Sequence, residues 1–68
     1  MTITVEIRRL ASGIIEARPV ENGLYGTNLL RGYSLVNLAR AKERVEQLYM
    51  LKSVKAGIEI DVRWVGIA

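Results

Sequence analysis

The chain has 68 residues, half of them apolar and a quarter charged. That is ordinary globular composition, and a chain this short makes a single small domain over residues 1–68, burying only about 60% of the surface it exposes when unfolded. It contains no His and no Cys, which excludes disulfides, thiolate nucleophiles and Cys- or His-ligated metal, and removes the commonest general base. Ten Lys and Arg against seven Asp and Glu give a net charge of +3, too modest an excess to name a partner.

Thr2 to Arg8 alternates cleanly, with Ile3, Val5 and Ile7 on one side and Thr2, Thr4, Glu6 and Arg8 on the other. Period two with β-branched residues predicts a strand with one wet face. Ala11-Ser12-Gly13 is a short connection, and Ile14 to Val20 reads as a second strand, antiparallel to the first. Pro19 lacks a ladder donor, which places the end of that strand at a sheet edge or a bulge. Asn22-Gly23 has the positive-φ tolerance of a type I′ turn. It either ends the second strand or launches a short third one through Leu24, Tyr25 and Thr27.

Ser34 to Ala56 is the one predicted helix, with Ser34 as N-cap and Gly57 as a left-handed stop after Lys52 and Lys55. Leu38, Ala41, Val45 and Leu48 form its core stripe, widened by Leu35 and Tyr49. From Ile58 the alternation returns. Ile58, Ile60, Val62 and Trp64 point inward and Glu59, Asp61 and Arg63 outward, making a last strand that should be the best buried of all. The fold class is therefore α+β: one helix packed on a small, mainly antiparallel sheet of three or four strands, ββαβ or βββαβ. A last strand beside the first would make a parallel pair through a right-handed crossover.

The start, Met1-Thr-Ile-Thr-Val-Glu6, lacks the basic and apolar regions of a signal peptide, and the longest uncharged run, Asn22 to Leu30, is too short to cross a membrane. The expectation is a cytoplasmic chain with no membrane partner. Glu6, Glu16, Glu59 and Asp61 share the outward sheet face with Arg8, Arg18 and Arg63, interleaved as on a solvated surface. No shaping loop converges the carboxylates on a cation, so no metal is expected. Ser12, Ser34 and Ser53 have no His to activate them, and a domain of this size has little room for a pocket. The chain is expected not to be an enzyme and to need no cofactor. Gly23-Leu24-Tyr25-Gly26 has the spacing of an RNA-clamping Gly-x-x-Gly loop but lacks its basic residue and its flanking helices.

The least ordinary feature is an apolar surplus on the helix. With the core stripe packed on the sheet, Val36, Ala39, Met50 and Val54 remain on the other side, and Leu51 lies on the flank of Arg40 and Arg44. Either the helix frays after Tyr49 and folds these residues under, or Met50, Leu51 and Val54, with Arg40 and Arg44, meet another protein or a second copy of the chain. Sheet edges offer a second docking mode by strand addition. The resulting expectation is a small protein-interaction module: a binder, adaptor or inhibitor, or a homo-oligomer. The alternative is a sequence-nonspecific nucleic-acid binder touching phosphates through Arg31, Arg40, Arg44, Lys52 and Lys55.

The order hairpin, helix, strand is similar to the first part of β-grasp domains. The sulfur-carrier and ubiquitin-like members end in Gly-Gly, whereas this sequence ends Val65-Gly66-Ile67-Ala68, which sets carrier chemistry aside. In size and outline the chain also resembles small phage-encoded inhibitors of host machines, some anti-CRISPR proteins among them. That likeness involves no particular residue.

Overall fold

The computed structural model describes residues 1–66. The N-terminal alternation becomes strand β1 (Thr2–Arg9), and a short 3-10 turn at Ala11–Gly13 leads into β2 (Ile15–Glu21). Asn22 and Gly23 both take positive φ, 52° and 78°, and close the hairpin to a two-residue strand β3 (Leu24–Tyr25). Helix α1 (Leu38–Ala56) crosses one face of the sheet, and β4 (Asp61–Gly66) returns beside β1. The four strands lie in the order β3-β2-β1-β4, antiparallel except for the parallel pair of β1 and β4. The α+β class is as expected, with the third strand present in its shortest form.

The helix starts later than the sequence implies. Ser34 and Asn37 bind each other reciprocally: the Ser34 N–H donates to Asn37 Oδ1 at 3.2 Å and the Asn37 N–H donates to Ser34 O at 3.1 Å. This tight reciprocal turn holds Leu35–Asn37 in a 3-10 conformation, and the α-helix begins at Leu38. At the other end it runs unbroken to Ala56, where Gly57, at φ 68°, stops it. There is no fraying after Tyr49.

The core is built from Val5, Ile7, Ile15 and Ala17 on the sheet and Ala41, Val45 and Tyr49 on the helix. Leu30 joins them at 1% exposure, from a segment with no regular structure that the hydrophobic pattern did not flag. Two expectations for the last strand are corrected. Ile58 and Ile60 lie outside it, because the parallel register begins at Thr2 opposite Asp61 and leaves β1 no residues to pair with them. Ser53 instead ties this stretch to the helix end: its Oγ donates to Ile58 O, and the Ile58 N–H donates back to Ser53 O at 3.2 Å. Ile58 is consequently exposed and Ile60 only half-buried. Nor is β4 the best-buried strand. It occupies an edge, and its Val62 and Trp64 are half-buried where the central β1 has Val5 and Ile7 fully enclosed.

Candidate protein-interaction site

The two sides of the sheet are treated differently by the chain: one ends in the two-residue β3, which leaves most of β2 without a strand beside it, and the other in the six-residue β4. Along β2 the outward main-chain groups are taken up by the segment that follows the hairpin. The Ile15 N–H donates to Tyr33 O, Leu29 N–H to Ala17 O and Gly26 N–H to Pro19 O. Asn28 completes the seal: its Oδ1 accepts from both Ala17 N–H and Leu30 N–H, and its Nδ2 donates to Leu30 O at 2.6 Å. Pro19 fits here because its nitrogen, on the same side as its carbonyl, faces this segment and not β1, so no ladder bond is lost.

Along β4 nothing comparable exists among the described residues. The Asp61 N–H donates to Met1 O at 2.8 Å, which fixes the phase of the strand: Asp61, Arg63 and Val65 turn their main-chain groups toward β1. Val62, Trp64 and Gly66 turn theirs outward, an unpaired row of donors and acceptors.

Beside this edge lies a groove of about 400 Å³, lined by Met50, Val54, Glu46 and Ser53 from α1 and by Ile60 and Val62 at the sheet edge, with Glu59 and Asp61 at its rim. Met50 is 65% exposed and Val54 76%. At the far end of the groove the Trp64 indole donates to Glu46 Oε1 at 3.1 Å, and the Lys42 ammonium sits 5.6 Å from the centre of its ring. The indole is thus tied to the helix through Glu46 and Lys42.

The residues named from the sequence divide into two sets. Successive helical residues point about 100° apart, so Met50 and Leu51 fall on opposite flanks with Val54 between them. Met50 and Val54 join the β4 groove. Leu51, 60% exposed, lies on the other flank, where Arg40, Arg44 and Lys55 share its line at spacings of four, seven and four residues. Arg40 and Arg44 therefore border Leu51 and not the groove. Lys52 lies over the Tyr49 ring at 5.3 Å, at the end of the core, and Arg31 is exposed in the segment before the helix.

The outward face of the sheet is a linked set of polar groups. Glu6 accepts from Arg8 at 2.7 Å and from the Tyr25 hydroxyl at 2.9 Å, and Glu16 pairs with Arg18 at 3.3 Å and with Arg8 at 3.9 Å. Arg8 and the Tyr25 hydroxyl hold the Glu6 carboxyl below the usual carboxylate range, and Glu6 in turn raises the Tyr25 phenol. Glu59 does not belong to this face: it lies in the turn before β4, where its carbonyl accepts from the Met1 ammonium at 3.0 Å. No group of three or more acids converges on a metal-sized position among the described residues.

A second cleft, about 490 Å³, opens under the end of α1 between Ile3, Pro19, Tyr49, Ala56, Ile58 and Ile60. Its walls are mostly aliphatic, and it is the open end of the core. No helix among the described residues is long and apolar enough to cross a membrane. Comparison with protein-family models, with curated proteins and with solved structures found no match.

Proposed function

We propose that this chain is a non-enzymatic protein-interaction module whose contact surface is the outer edge of β4 together with the Met50 and Val54 side of α1. The observation that supports this most directly is the contrast between the edges. The chain uses Gly26 to Tyr33 to take up the main-chain groups of β2 beyond the short β3, and leaves β4 with outward donors and acceptors next to exposed aliphatics. A strand added there would satisfy the main-chain row and cover Met50 and Val54 in one step. Each such aliphatic side chain removed from water contributes roughly 1.5–3 kcal/mol, enough for two to matter against the cost of association. Blocking, bridging or self-assembly would all follow from this one contact.

The test is crosslinking in the native host, with a photoreactive residue at Val54 in one version and at Arg44 in another. The expected result is a discrete protein adduct from Val54 and none from Arg44. Adducts from Arg44 alone would move the contact to the other flank and end this reading.

That flank supports the second reading. Because α1 is unbroken, Arg40, Arg44 and Lys55 form a line of positive charge at helical spacing. Such a line can follow a phosphate backbone without reading sequence.

A further inference from the structure

We propose that the occupant of the β4 edge is a second copy of this chain, paired antiparallel about a two-fold axis at Val62, with Asp61 of each copy opposite Arg63 of the other. This rests on the reading of β4 as the contact surface and adds the partner and the register.

The phase of β4 limits the ways two copies can join. Val62 and Trp64 have their main-chain groups outward and their side chains on the helix side of the sheet. Direct hydrogen-bonded partners in an antiparallel pair must both point outward, and their side chains share a face. Two copies joined along β4 therefore carry both helices on the same side of one continuous sheet. Only a few registers remain within the strand. An axis at Arg63 places two guanidinium groups against each other, which is destabilising. An axis at Trp64 faces indole with indole and sets Arg63 against Val65.

An axis at Val62 sets Asp61 against Arg63 twice, on the solvated face. These are non-hydrogen-bonded pairs, in which the side chains lie closest. Neither Asp61 nor Arg63 has an ion-pair partner within the chain among the described residues. The same axis passes beside the groove, since Val62 lines it with Met50 and Val54. The apolar patches of both copies then meet over the Val62 pair. Glu59 falls opposite Val65, so no like charges are opposed. Charge and apolar cover select the same register independently.

The experiment is sedimentation equilibrium of the full chain at high micromolar concentration, using two single variants and their mixture. Asp61 and Arg63 are both exposed, so Asp61→Arg and Arg63→Asp should leave the fold intact, which circular dichroism checks. The wild type should be a dimer. Each variant alone places two like-charged pairs across the axis and should raise the dissociation constant about tenfold or more. An equal mixture of the two variants restores both ion pairs and should form the heterodimer. A monomeric wild type, or a dimer that Asp61→Arg leaves unchanged, overturns this proposal. Val62→Pro separates its failure from that of the broader reading. It removes an outward N–H that β1 does not use and blocks any added strand. If the wild type is monomeric and Val62→Pro abolishes the Val54 crosslink to another protein, the second copy is wrong and the β4 contact stands. If that crosslink survives Val62→Pro, strand addition at β4 is wrong as well.

Discussion

At the scale of single residues, Tyr25 shows how a polar surface group can be tied down without being buried. Its hydroxyl donates to Glu6 and its ring lies 5.6 Å from the Arg8 guanidinium, so a two-residue strand is fastened to β1 across β2. The bond to the Glu6 carboxylate raises the phenol, so the folded state holds that proton more tightly than the unfolded chain does. Its contribution to stability is present below the ordinary tyrosine range and is lost as pH rises through the folded value. For Glu6 the sign is opposite: its carboxyl is lowered, so the contribution is present above the unfolded carboxylate range and is lost as pH falls through the folded value. Absorbance titration of the tyrosines should show the Tyr25 phenol ionising above the ordinary range. Glu6→Gln should return it toward that range and flatten the acid limb of the stability curve. An unchanged phenolic titration in Glu6→Gln would show that the carboxylate does not hold Tyr25. Gly66 is constrained more simply: at φ 96° a Cβ would come within 2.5 Å of Ile7 O, so β4 can approach β1 there only as glycine.

At the scale of elements, the irregular stretch from Gly26 to Tyr33 does more for the fold than its appearance suggests. Leu30 is fully enclosed, and Asn28 supplies in side-chain form a hydrogen bond to β2 that a longer β3 would otherwise make. Trp64, by contrast, lies on the edge strand with one side on the helix flank and the other toward solvent. Leu30→Ala should therefore cost about 2–5 kcal/mol, as large-to-small changes in closed cores do. Trp64→Ala should cost less, about 1–3 kcal/mol, because the site is half open and water can occupy it. Chemical denaturation of both variants measures the order. A tryptophan variant less stable than the leucine variant would mean that β4 and not residue 30 closes the core.

At the scale of the molecule, the charge divides by flank. Arg40, Arg44 and Lys55 carry positive charge on the side of α1 away from β4, while Glu46 and Glu59 border the groove on the other side, with Lys42 at its far end. A net +3 is thus not spread evenly over the two sides of the helix. The nucleic-acid reading belongs to the basic flank and has its own signature. Affinity for short duplex DNA should fall with salt at a log–log slope of about −0.9 per phosphate neutralised. Replacing Arg44 with Gln should reduce that slope by close to one contact, and Met50→Glu should leave it unchanged. Duplex binding that is undetectable at low ionic strength removes this reading and leaves the β4 surface.

The two strands of the first hairpin, the body of the helix, the αL stop at Gly57 and the Asn22-Gly23 turn are all legible in the residues, because they depend on local periodicity and on backbone preferences a few residues long. The sequence also showed that aliphatics at Met50 and Val54 exceed what one sheet face can cover. Position in the sheet comes from long-range contacts. Nothing in the alternation of residues 58–64 says that β4 pairs only with β1 and stays an edge, or that its register begins at Asp61 and leaves Ile58 outside. The enclosure of Leu30 was equally invisible, since its neighbours have no period and its burial depends on a side-chain amide bonding to a strand eleven residues away. The division of Met50 from Leu51 required the helix to remain intact past Tyr49. Local pattern sets what each segment can form, and long-range hydrogen bonding sets which strands lie inside the sheet and which lie at its edge.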